Sequence, residues 1–173
     1  ALYFESSMHR AGMSTSEITK ALFMVPVIYA TITFLSGFIA DKFGRKATVT
    51  GFSITCVVGY TLFVVGILNG WEPYLIGTLA GLYHGSYWIG RDYMNVMMTE
   101  KVPTDIRASV VGAEGLLVII GLVVGYGLII VGMTIMPIWW ACLAISIPAV
   151  SVAAIIFTLK VKETKGVNLD TIE

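Results

Sequence analysis

Three ionisable side chains lie deep in sequence that is otherwise apolar. Arg91 and Asp92 are the only charges between Pro73 and Thr99, and they stand nine and eight residues before Glu100. Glu114 stands seven residues past Arg107 and opens a stretch with no further charge up to Leu159. At about 1.5 Å per helical residue, Arg91 and Asp92 sit roughly 12–14 Å in from Glu100, and Glu114 roughly 10 Å in from Arg107. Charges at such depth are costly; they face a cavity or a partner and mark solute or proton pathways. His84, Trp88, Arg91 and Asn95 fall at i, i+4, i+7 and i+11 and form one helical stripe. Asp92 lies about 100° round the helix from Arg91, so the two do not face each other. Two readings follow. Arg91 binds an anionic or polar group while Asp92 or Glu114 carries a coupling proton, or Arg91 and Glu114 form a structural ion pair. A milder polar stripe of Tyr29, Thr33 and Ser36 runs along an earlier segment. Its hydroxyls contact solute or bond to their own backbone. No nucleophile–base pair, metal-ligand cluster or phosphate-cradling glycine loop is present, so an enzyme is not expected and no cofactor is implied.

The elements holding these residues are membrane spans. Hydrophobic residues make up 57% of the 173 and charged residues 13%, against about 25% charged in ordinary soluble domains. The net charge is zero, so no basic face for nucleic acid is implied. Residues 21–40 and 47–71 carry no charge, and about 20 apolar residues cross a bilayer core. The expected fold is an all-α transmembrane bundle of five spans near 21–40, 47–68, 74–98, 108–131 and 137–159. Residues 1–20 form an extracytoplasmic segment or the end of a preceding helix, and residues 160–173 a C-terminal tail. Ala1 opens no signal-peptide pattern, and the sequence is expected to be part of a longer chain. Cys56 and Cys142 fall in apolar runs and read as small buried hydrophobes.

Lysine and arginine set the expected orientation. Lys42, Arg45 and Lys46 lie in one loop, Lys101 and Arg107 in another, and Lys160, Lys162 and Lys165 in the tail, while the loops at 69–73 and 132–136 have none. The cationic loops and the C-terminus are therefore expected to be cytoplasmic, in a plasma membrane. Gly77, Gly81 and Gly85, and again Gly121 and Gly125, recur at four-residue spacing, which lets helix backbones approach closely in lipid.

The hairpin from Gly37 to Lys46 gathers Asp41, Gly44 and Arg45. Gly37, one turn before Asp41, leaves room for a neighbouring helix. Asp41 is suited to accept from a helix N-terminus, and Gly44 to make a sharp turn. Arg45 can fork onto a carboxylate, with Glu100 the candidate and Arg107 a second fork nearby. Such a cluster can latch one end of the bundle.

Three pieces resemble the major facilitator superfamily. The hairpin Gly37…Asp41-Lys42…Gly44-Arg45-Lys46 is similar to its G-x-x-x-D-[RK]-x-G-R-[RK] signature. Glu100…Pro103-Thr104…Arg107 is similar to an E-x6-R element at the end of helix ten in sugar porters and organic-ion transporters. Glu163-Thr164-Lys165-Gly166 with Leu169 is similar to a sugar-porter tail after helix twelve. The segment before Trp88 lacks the glycine- and proline-rich approach of glucose-type porters, and the tail lacks the proline before its glutamate. The resemblance implies helices eight to twelve of a secondary transporter. This half would pair with an N-terminal half and move a small polar solute (a sugar, metabolite or organic ion) by alternating access, with or without proton coupling. It implies that the Arg91 stripe faces solute, and that Gly37, Asp41, Gly44, Arg45, Glu100 and Arg107 form the latch. A drug or organic-ion antiporter of the same fold, and a transporter-like receptor or scaffold that moves nothing, are the rival readings.

Overall fold

A computed structural model describes residues 2–164, all of whose regular structure is helical: α1 (Leu2–Arg10), α2 (Thr15–Phe43), α3 (Arg45–Leu68), α4 (Pro73–Thr99), α5 (Arg107–Gly132) and α6 (Ile138–Lys160). Among the described residues, α2, α3, α5 and α6 are long and apolar enough to cross a membrane. The chain is an integral membrane protein of all-helical architecture. That is four such helices where the sequence marks five. The difference is α4, which is 27 residues long. Its His84, Arg91, Asp92 and Asn95 dilute its hydropathy.

Local signals set the helix ends. Ser14 caps α2 in a reciprocal box: its Oγ accepts from the Glu17 N–H at 3.4 Å, and the Glu17 carboxylate accepts from the Ser14 N–H at 2.8 Å and its hydroxyl at 2.7 Å. This S-x-x-E box starts α2 six residues before the expected boundary at 21 and joins it to part of the 1–20 segment. Gly44 closes α2 and opens α3 with φ +93° and ψ 161°, backbone territory that is essentially glycine's own. Glu72 caps α4, accepting from the Leu75 N–H at 3.1 Å, and Pro73 takes the first helical position, where its missing N–H costs nothing.

The central helix is α4, packed along both α2 and α3. The close approach to α2 runs through glycines. A Cβ on Gly77 would meet the Ala21 backbone, one on Gly81 would meet Ile28, and one on Gly85 would meet Ile32. Gly121 and Gly125 on α5 behave differently: neither has anything within 4 Å of where a Cβ would stand. The spacing that draws two helices together on α4 faces open space on α5, because glycine permits contact only where another helix arrives. None of the residues of α5 is buried, and Leu117, Val123 and Ile130 are each more than 60% exposed.

The main core gathers Met8, Ile18, Ala21, Phe63, Ile76 and Ala80 with Cys142 toward the 69–72 turn. A smaller cluster of Val49, Met97 and Phe157 sits toward the hairpin. Cys56 and Cys142 are both buried and free.

Candidate functional site

A cavity of about 360 Å³ opens between α3, α4, α5 and α6. Ser53 and Cys56 line it from α3, Glu114 and Val118 from α5, and Val150 and Ala153 from α6. The α4 wall is Ser86, Tyr87, Gly90, Arg91, Met94, Asn95 and Met98. Arg91 is the pivot of this wall. Its Nη2 donates to Glu114 Oε1 at 3.3 Å, and its guanidinium carbon stands 5.4 Å from the centre of the Trp88 ring. That contact is long for a charge-assisted bond, which normally runs about 2.7–2.9 Å. Three buried polar atoms on this wall have no hydrogen-bond partner among the described residues: Arg91 Nε, Ser86 Oγ and Asn95 Oδ1.

The upper part of the stripe is aromatic. His84 packs edge-on against Phe4 at 6.1 Å, Tyr29 at 5.8 Å and Trp88 at 6.3 Å. Trp88 thus links the His84–Tyr29 cluster to Arg91. The helical spacing that defines the stripe brings His84, Trp88, Arg91 and Asn95 into one run and sets Glu114 opposite. Of the expected residues, Arg91, Asn95 and Glu114 line the cavity, whereas His84, Trp88 and Tyr29 form the aromatic cluster and do not line it; Asp92 and Thr33 stand apart from both groups. Asp92 is exposed and lines no part of the cavity, since the turn of the helix carries it away from Arg91. Thr33 is exposed as well; its backbone carbonyl accepts from Ser36 Oγ at 2.7 Å, so the Ser36 hydroxyl is spent on its own helix. Ser86 carried no sequence signal, because one serine among small residues is unremarkable until burial strips it of partners.

A second polar centre ties together three distant segments at the hairpin end. Arg45 Nη2 pairs with Glu100 Oε1 at 2.7 Å, with side chains 28% and 15% exposed. The Glu163 carboxylate lies across the start of α3 and accepts from the Arg45 N–H at 3.1 Å and the Lys46 N–H at 3.0 Å. It supplies the cap that Gly44 cannot, at the helix end where negative charge is stabilised. Lys101 Nζ donates to the Lys162 carbonyl at 2.8 Å, and Thr164 is buried. This corrects three expectations. Glu163, not Asp41, meets the helix N-terminus; Asp41 is exposed, with no hydrogen bond or ion pair among the described residues. Nothing lies within 4 Å of a Cβ on Gly37, so no helix uses the room it leaves. Arg107 donates to the Val102 carbonyl at 3.3 Å within its own loop rather than to Glu100. The missed residue is Glu163 as a cap, and the signal was Gly44 itself: a helix starting at Arg45 with no side chain to cap it needs an acceptor from elsewhere. Of the tail motif, Lys165, Gly166 and Leu169 lie outside the described residues.

Among the described residues, no group of three His, Cys, Asp or Glu gathers to hold a metal. Comparison with protein-family models, with curated proteins and with solved structures gives no match to this chain.

Proposed function

We propose that these helices form the C-terminal half of a secondary transporter of the major facilitator type, crossing the membrane five times with α4 as the fifth span. The observation that carries this reading is a charged pair, Arg91 and Glu114, facing a cavity inside an apolar bundle. Bilayer-embedded charges persist where they serve a pathway, and secondary transporters bind their solutes at mid-depth. Two further features support it: the motif resemblance along the chain, and the unburied flank of α5, which suits an N-terminal half as partner. On this reading the hairpin end and the C-terminus face the cytoplasm across the plasma membrane. The Arg45–Glu100 pair and the Glu163 cap latch that side, and the two halves rock to alternate access.

The charged pair favours an ionic or strongly polar solute over a neutral sugar, and so supports the organic-ion branch of the resemblance. Counterflow of radiolabelled candidate solutes into liposomes bearing the intact protein tests the reading. Solute movement that Arg91→Gln abolishes supports it. A protein that binds solute but never moves it is a receptor or scaffold.

A further inference from the structure

We propose that the cavity between α3, α4, α5 and α6 is a binding site for a small organic carboxylate with a short apolar tail, which displaces Glu114 from Arg91. This rests on reading Arg91 as a solute-binding group.

The unmet hydrogen-bonding demand at Arg91 fixes the charge of the ligand. Nε and Nη2 are the two donors on one edge of a guanidinium, the edge that grips a carboxylate with two parallel bonds. In this molecule Nη2 reaches Glu114 at 3.3 Å and Nε is buried with no partner. The edge is half-used, and by a long contact. Arg45 likewise leaves its Nε buried without a partner, yet it closes on Glu100 at 2.7 Å; what sets Arg91 apart is the length of its one contact. A buried donor left unmatched costs about 1–3 kcal/mol, so an incoming carboxylate gains a full two-bond grip where Glu114 makes one.

The rest of the wall fixes the remainder of the ligand. Ser86 is 1% exposed and its hydroxyl has no partner; it can donate to or accept from the head of the ligand. Asn95 Oδ1 is buried and lacks a donor, which a hydroxyl on the ligand would supply. Met94, Met98, Val118, Val150 and Ala153 complete an apolar lining suited to an alkyl chain or a small ring. A sugar would bury several hydroxyls against these side chains without partners, at a penalty for each. A volume of about 360 Å³ lies near the lower end of ligand pockets, roughly 300–1,000 Å³. The ligand is therefore small.

The test is ligand titration of the protein in lipid nanodiscs with butanoate, 2-hydroxybutanoate and benzoate, each beside its primary amide, and with butylammonium. The proposal predicts that the carboxylates bind, that their amides and butylammonium bind at least about tenfold more weakly, and that Glu114→Gln tightens carboxylate binding by about tenfold by removing the competitor. Arg91→Gln combined with Glu114→Gln removes both charges of this part-buried pair, and this variant loses carboxylate binding while staying folded. Ala153→Leu narrows the tail pocket and weakens benzoate more than butanoate. Equal binding of acid and amide, preference for butylammonium, or no carboxylate binding even in Glu114→Gln overturns the proposal. Binding needs only residues of α3–α6. A protein that binds carboxylates without transporting them leaves this inference standing and removes transport; transport of a neutral solute with no carboxylate binding does the reverse.

Discussion

The Glu163 carboxylate stands where a side chain on Gly44 would be: Oε2 lies 2.6 Å from the position of a Cβ. The missing side chain of one residue is the seat of another 119 positions on, and the pairing docks the start of the tail onto the α2–α3 hairpin. Gly44→Ala therefore carries two penalties. It forces alanine into a backbone region that costs about 1–3 kcal/mol, and it pushes the carboxylate off the Arg45 and Lys46 amides. Thermal unfolding in detergent should show that loss, and limited proteolysis should cut more readily between Val161 and Thr164.

Glu163→Ala isolates the second penalty. It removes the cap and leaves the turn unstrained, so it should destabilise by about 1 kcal/mol, the usual scale for an N-cap. Glu163→Gln keeps an acceptor but loses the charge, and should fall between wild type and alanine. Equal stability of all three would mean that the tail contributes nothing to α3.

The Arg45–Glu100 contact links the hairpin to the end of α4. Both side chains are partly exposed, so a double-mutant cycle on unfolding should return no more than about 1 kcal/mol. Its larger effect is expected on the balance between states. Glu100→Gln should shift labelling of cysteines introduced on the two membrane sides by an equilibrium change of about 1–3 kcal/mol, with little effect on solute affinity. Asp41→Asn and Arg107→Ala should shift it less, since neither residue joins that pair. A collapse of binding with unchanged labelling would remove the latch.

The glycine stripes give opposite forecasts. Gly81→Ala places a methyl against Ile28 and the Val25 backbone and should cost about 1–3 kcal/mol as overpacking. Gly121→Ala meets nothing within 4 Å and should be near neutral in this chain. If an N-terminal half docks on that flank of α5, the Gly121 substitution should impair assembly instead. Denaturation and co-purification separate the two effects.

These contrasts show which parts of the molecule are legible in the sequence. Helical periodicity fixes which residues share a face, so the run from His84 to Asn95 is legible in the sequence. Depth along a helix is also countable, which is why Arg91 and Glu114 could be set at similar levels. Periodicity is silent on what stands opposite a face. Gly77 and Gly121 look alike in sequence, yet one touches Ala21 and the other touches nothing. The same gap hid the partner of the α3 N-terminus: Asp41 was nearer along the chain, but Glu163 is nearer in space. Apolar runs in the sequence mark five spans, but among the described helices only α2, α3, α5 and α6 are long and apolar enough to cross a membrane, because His84, Arg91, Asp92 and Asn95 make α4 more polar.

The central claim is that Arg91 serves a solute rather than the fold, and Arg91→Ala, Glu114→Ala and the double variant decide it. Thermal stability and solute counterflow are measured on all three in the intact protein. If Arg91 serves a solute, Arg91→Ala keeps near-normal stability and loses counterflow, and the double variant recovers none of it. The two side chains are 30% and 22% exposed, so a loss in Arg91→Ala clearly above the roughly 1 kcal/mol of a part-exposed pair, largely restored by Glu114→Ala, is the signature of a structural pair and would show that Arg91 serves the fold.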